Sequence, residues 1–139
     1  MATITLYDTT LRDGTQMEGI SLSVEDKLKI AVKLDELGIH FIEGGWPGSN
    51  PKDDEFFRKS KSLKLKHSLI TAFGSTRKVD TAPSKDLNLK ALIDSQAPII
   101  TIVGKASETQ VKSVLETSLE ENLNMIRESV QYLKEHGRR

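Results

Sequence analysis

The chain has 139 residues, 20 basic and 20 acidic side chains and no cysteine, a length that suits one ordinary domain with a sizeable core. Zero net charge argues against a nucleic-acid footprint, which needs a basic excess, and the missing cysteines exclude a disulfide framework, a thiolate metal site and a cysteine nucleophile, leaving oxygen and the three histidines, His40, His67 and His136, to hold any metal. No run approaches the length of a membrane span and "MATITLYD" lacks the basic flank and apolar core of a signal peptide, so a soluble cytoplasmic protein is the expectation.

Strand-like runs alternate with helical patterns. "TITLYD" (3–8) reads as a first strand. "SVEDKLKIAVKLDELG" (23–38) reads as a helix capped by Ser23, with Val24, Leu28, Ala31, Leu34 and Leu37 on one stripe and Gly38 closing it. "IHFIEG" (39–44) is a second strand, and "NPKDDEFFRKS" (50–60) a short helix with Asn50 as cap and Pro51 at its first position. "HSLITAFG" (67–74) is a third strand, a weaker helix follows around 85–96, and "APIITIVG" (97–104) is a fourth strand. One long helix is expected over 107–136. Val111, Leu115, Leu119, Leu123, Ile126, Val130 and Leu133 step by three or four as a core stripe, and Gly137 stops it. The polar stretch "STRKVDTAPSKD" (75–86) is expected to be mobile.

Four β-α units in succession predict an α/β fold with a parallel sheet and right-handed crossovers. No G-x-G-x-x-G follows the first strand, so a dinucleotide site is not supported. The units could form a small open sheet or the first half of a (β/α)8 barrel, which takes roughly 250 residues in full. The half barrel is favoured. The chemical-looking groups follow strands 1 and 2, on the face where barrel loops carry chemistry, and the chain stops directly after a helix.

Those groups begin with Arg12 and Asp13, before Gly14. A carboxylate on a strand-end turn can bind a hard cation and an arginine can stabilise an oxyanion; equally, the two form an ion pair that caps the loop. Glu43 ends the second strand as a ligand or hydrogen-bond partner in a barrel mouth, or as a solvated carboxylate. "GGWPGSNP" (44–51) could offer free amides to an anion, but it lacks the Lys-Ser/Thr ending of a P-loop and reads first as a turn, with Trp46 lining or covering a pocket. His40 and His67 fall at strand starts and His136 at a helix C-terminus, all structural positions. Lys105 follows strand 4 and reads as solvated.

"DTTLRDGTQ" (8–16) closely resembles the signature of the family of 2-isopropylmalate, homocitrate and citramalate synthases, metal-dependent barrel enzymes that condense acetyl-CoA with a 2-oxo acid. The likeness runs on through 21–53, and "IEGGWPGSNPKD" (42–53) and "SLEENL" (118–123) are similar to the citramalate branch, which joins acetyl-CoA to pyruvate in branched-chain amino-acid biosynthesis. It covers the whole chain but only the first half of the family's barrel. The resemblance implies that Asp13 ligates a catalytic divalent metal (Zn, Mn or Mg), that Arg12 lies against the keto and enolate oxygens, and that Gln16 joins the same polar cluster. It makes Glu43 a carboxylate of the active-site mouth. Phe73 and Ile102 would shape an apolar pocket suited to pyruvate's methyl group. It also implies a homodimer for the intact enzyme, and no nucleic-acid or membrane partner. One departure matters: the family's late-strand His-x-His metal pair is absent. The chain is therefore expected to carry half of an active site and to be inactive alone. The alternatives are a 2-isopropylmalate or homocitrate synthase, or a non-catalytic half barrel that self-associates through its sheet edges.

Overall fold

Short polar side chains set the helix starts. Ser23 accepts the Asp26 amide and Asp26 returns a bond to the Ser23 amide, a reciprocal cap on α1 (Val24–Glu36). Asn50 caps α2 (Pro51–Ser60), whose first residue is the proline. Asp86 caps α3 (Leu87–Asp94). Between them run β1 (Tyr7–Asp8), β2 (Phe41–Gly45), β3 (Leu69–Ser75) and β4 (Ile99–Val103), followed by α4 (Glu108–Ser113) and α5 (Leu119–Glu135). The computed structural model describes residues 4–139, so Thr3 of the expected first strand lies outside the described residues.

The four strands pair in parallel in the order β1-β2-β3-β4. An open doubly wound sheet reverses its strand order at a switch point; this sheet never does, and each strand lies beside its sequence neighbour as in a barrel wall. The fold is half of a (β/α)8 barrel. At the far edge, the Arg139 amide donates to Pro98 O (3.3 Å) and Arg139 O accepts from the Ile100 amide (2.8 Å), the bond pair of a parallel bridge opposite Ile99.

Alternation gives the sheet two faces. Ile42, Ile70, Ala72, Ile100 and Ile102 pack outward under the helices, against Ala31, Phe56, Leu89, Leu92 and Leu133. The opposite face carries Tyr7, Phe41, Glu43, Thr71, Phe73 and Thr101, and becomes the barrel interior. The base of the sheet is latched by Asp35, on α1. Its carboxylate accepts the amides of Lys66 (2.9 Å), His67 (2.7 Å) and Ser68 (2.7 Å), fixing the chain as it enters β3. Burial would raise its pKa, but these three bonds outweigh that and lower it to about 2.

The single helix expected over 107–136 is two helices. Glu116 adopts a left-handed φ of 52°, and Ser118 starts a new helix by accepting the Glu121 amide at 3.0 Å. The break resets the phase of the stripe. α5 buries Asn122, Met125, Ser129 and Leu133, while Leu119, Leu123 and Val130 face outward. The polar members of that buried face hold loops: Asn122 donates to Lys105 O, and Ser129 accepts the Arg77 amide. The segment 75–86 is likewise tied down rather than loose. Arg77 is buried between Glu121 (2.9 Å) and Glu128 (2.6 Å), and Asp86 accepts the Lys78 amide.

Candidate active site

At the C-terminal end of β1, Asp8 accepts both the amide (2.9 Å) and the hydroxyl (3.0 Å) of Thr10, turning the chain sharply. Thr9 O accepts the amides of Arg12 and Gly14. Leu11, fully buried, pins the loop to the core, so its neighbour Arg12 projects over the interior face. The Arg12 guanidinium donates from Nε to Glu43 (2.5 Å) and from one terminal nitrogen to Asp13 (3.0 Å). Its Cζ lies 3.9 Å from the Phe73 ring centroid, a cation–π contact. The second terminal nitrogen has no protein partner among the described residues.

Phe73 is backed by Trp46, edge-on at 5.4 Å. Trp46 donates through its indole nitrogen to Asn88 (2.9 Å), which donates to Ser75 O (2.6 Å). The aromatic wall is thus fastened to both β3 and α3.

Glu43 is 1% exposed. Burying a charge so deeply is costly unless its lone pairs are satisfied, and both oxygens are: one by Arg12, the other by the Tyr7 hydroxyl. Tyr7 in turn lies 2.9 Å from the Thr71 hydroxyl and 2.7 Å from that of Thr101. Burial, and next the bond to Glu43, push the phenol's pKa up. Four strands therefore each contribute one residue to a single polar layer.

The structure brings together Arg12, Asp13, Glu43 and Phe73. It does not bring Gln16 or Ile102 to them. Gln16 lies on a short turn after Asp13, exposed, with no side-chain hydrogen bond among the described residues. Ile102 points to the helix side of β4 and packs on the core; its neighbour Thr101 faces the site. Tyr7, Thr71 and Thr101 were not singled out from the sequence, although strand alternation from Phe73 would have marked Thr71. The anion reading of "GGWPGSNP" is displaced by the turn reading, because Asp53 accepts the Trp46 amide (2.9 Å) and Asp54 the Gly48 amide (2.7 Å).

The donor set does not fit a complete metal centre. Asp13 is an exposed carboxylate with one oxygen on Arg12, Glu43 is committed on both oxygens, and no group of three or more His, Cys, Asp or Glu side chains able to hold a metal occurs among the described residues. The histidines serve structure. His40 Nδ1 accepts the Leu6 amide (3.1 Å), the His67 amide binds Asp35, and His136 Nδ1 lies 2.8 Å from Tyr132 O. No described helix is long and apolar enough to cross a membrane.

A half barrel with an arginine fixed at its C-terminal mouth is the class that fold and site define. The chain belongs to the HMGL-like family, whose profile matches residues 3–139. Five (R)-citramalate synthases are 49–58% identical to it. That of Geobacter sulfurreducens is 58% identical over 96% of this chain and 25% of its own length. A homocitrate synthase of Methanothermobacter thermautotrophicus is 39% identical over 96% of this chain and 32% of its own length. Among solved structures, the HMG-CoA lyase of Bacillus subtilis matches with a TM-score of 0.71 at 17% identity, over 97% of this chain and 44% of that one. The chain spans about a quarter of the length of the citramalate synthases it matches.

Proposed function

We propose that this chain is the N-terminal half of the catalytic barrel of a citramalate synthase, an acyltransferase that joins acetyl-CoA to pyruvate. The observation that carries the reading is the arrangement of Arg12. Glu43, Asp13 and Phe73 hold three sides of its guanidinium, and one terminal nitrogen remains free to donate to an anionic oxygen at the barrel mouth. The wide identity gap between the citramalate and homocitrate synthases supports pyruvate over a larger 2-oxo acid, and the Trp46–Phe73 wall suits a small substituent.

In the condensation, a base takes a proton from the acetyl methyl group. The resulting enolate carbon bonds to the keto carbon of pyruvate, whose oxygen gains the charge and then a proton. Water cleaves the thioester, giving citramalate and the CoA thiol. Arg12 would donate to the former keto oxygen as charge builds there, a preorganised stabilisation that needs no rearrangement at the moment of reaction. Glu43 is not the base in this scheme, since both of its oxygens are already engaged. Asp13 supplies one oxygen donor toward a divalent metal, and the other ligands and the base come from outside residues 1–139. The chain alone is therefore inactive.

The test is a chimera in which residues 1–139 replace the matching segment of the Geobacter sulfurreducens synthase. It should release CoA thiol in a pyruvate-dependent reaction and form citramalate, detected by mass spectrometry. Arg12→Ala in the chimera should lower kcat by on the order of 10²–10³, and the 139-residue chain alone should show no turnover. A folded but idle chimera, a preference for a bulkier 2-oxo acid, or turnover by the chain alone would each overturn the proposal.

A further inference from the structure

The polar layer beneath Arg12 has a fixed direction. A phenol carries one proton, yet Tyr7 Oη has three oxygen neighbours, Glu43, Thr71 and Thr101. The carboxylate can only accept, and a charged acceptor makes the stronger bond, so the Tyr7 proton goes to Glu43. Thr71, whose contact runs in either direction, can then donate to the phenol oxygen, and the Thr101 hydroxyl flanks it at 2.7 Å. The Thr71 and Tyr7 hydroxyls, from β3 and β1, thus run head to tail toward one carboxylate on β2. Hydrogen bonds arranged head to tail polarise and strengthen one another.

We infer that Tyr7 is a positioning residue: its hydroxyl, backed by Thr71 and Thr101, fixes the Glu43 carboxylate so that the Arg12 guanidinium presents its free terminal nitrogen at a constant angle to the substrate oxygen. The inference rests on the functional reading above only for the identity of that substrate. Without the Tyr7 hydroxyl, one oxygen of Glu43 loses its partner and the carboxylate can rotate about its last torsion. Arg12 Nε then follows it, because the exposed Asp13 side chain can move with the guanidinium and Phe73 holds it only through a ring face, which tolerates sliding. The Tyr7 ring also packs 6.3 Å from that of Phe41, so the hydroxyl can be removed without emptying the space the ring fills.

Tyr7→Phe is the test, read in two ways. In the 139-residue chain, the Arg12 Nε–H resonance should exchange with solvent several-fold faster in the variant, while the far-ultraviolet circular dichroism stays unchanged. In the chimera, kcat should fall roughly 10-fold with KM for pyruvate altered less than twofold, because the loss is one of alignment in the transition state. Thr101→Ser, which keeps the hydroxyl, should match the parent in both measurements. An Arg12 exchange rate unmoved by Tyr7→Phe would overturn the inference, as would an unchanged kcat in an active chimera. If the chimera with Tyr7 intact is idle, the functional reading fails on its own, and the exchange measurement still decides the role of Tyr7.

Discussion

Two buried carboxylates stand at opposite ends of the same sheet. Asp35 lies at the base, 5% exposed, and Glu43 at the mouth, 1% exposed. Asp35 is satisfied by backbone amides of consecutive residues, Lys66 to Ser68. Glu43 is satisfied by side chains, Arg12 and Tyr7, that arrive on other strands and loops. The difference divides labour. Backbone donors cannot leave without unfolding the segment that carries them, so Asp35 is a latch. Side-chain donors have their own torsions and one of them keeps a spare donor, so Glu43 is a bearing on which a functional group is mounted.

The contrast is tested most severely by truncation. Asp35→Ala leaves three amides without their acceptor at the entry to β3, and unpaired buried donors are expensive; the melting temperature should fall on the order of 10 °C. Glu43→Ala opens a cavity and unpairs Arg12 Nε, but Arg12 keeps Asp13 and Tyr7 keeps its two threonine neighbours, so it should cost about 2 kcal/mol, less than Asp35→Ala. Thermal unfolding followed by circular dichroism compares the two directly. If Glu43→Ala proves the more damaging, the division into latch and bearing is wrong.

Acid probes the latch. The Asp35 carboxyl is held at about 2, below its ordinary 3.8. A depressed carboxyl stabilises the folded state above its unfolded pKa, and that contribution drains away as pH falls from the unfolded value through the folded one. The parent should therefore lose stability between about pH 4 and pH 2. Asp35→Asn, which cannot titrate, should start lower and decline less over the same window. Urea midpoints at several pH values across it supply the measurement, and parallel declines in parent and variant would remove Asp35 as the cause.

Much of this was legible in the chain itself. Caps located the starts of α1 and α2, because Ser23 and Asn50 carry their signals locally, while α3 was placed only approximately and its Asp86 cap shows in the structure. The break before α5 was missed because the apolar spacing continues across it. Only the competition between a helix interior and the Ser118 cap, decided by the left-handed Glu116, ends α4 early. The site divides in the same manner. Arg12, Asp13 and Glu43 are marked by charge at strand ends, a local property. Tyr7, Thr71 and Thr101 are ordinary strand residues, and what joins them is the register between strands up to 94 positions apart. Register is also where Ile102 was misplaced: a shift of one residue exchanges the two faces of a strand.

That single step makes β4 a place where latch-like and bearing-like roles lie side by side. Ile102 is packed under the helices with Ile100, so Ile102→Ala should cost about 1–2 kcal/mol, less than a fully buried truncation because the side chain is only partly covered. It should leave the Arg12 Nε–H exchange rate unchanged. Thr101→Val keeps the shape of the side chain and removes one hydroxyl partner of Tyr7 Oη. The half-buried phenol keeps Thr71 and can recruit water, so unfolding should shift by less than about 0.5 kcal/mol. The exchange of Arg12 Nε–H should nevertheless quicken, because one of the two hydroxyls behind the phenol has gone. A neighbouring pair in which one variant moves only stability and the other only the arginine would separate the two faces of the strand by measurement. If Ile102→Ala disturbs Arg12 as much as Thr101→Val does, the two faces are coupled through β4 itself, and the mouth of the barrel is held by the whole strand rather than by its inward hydroxyl.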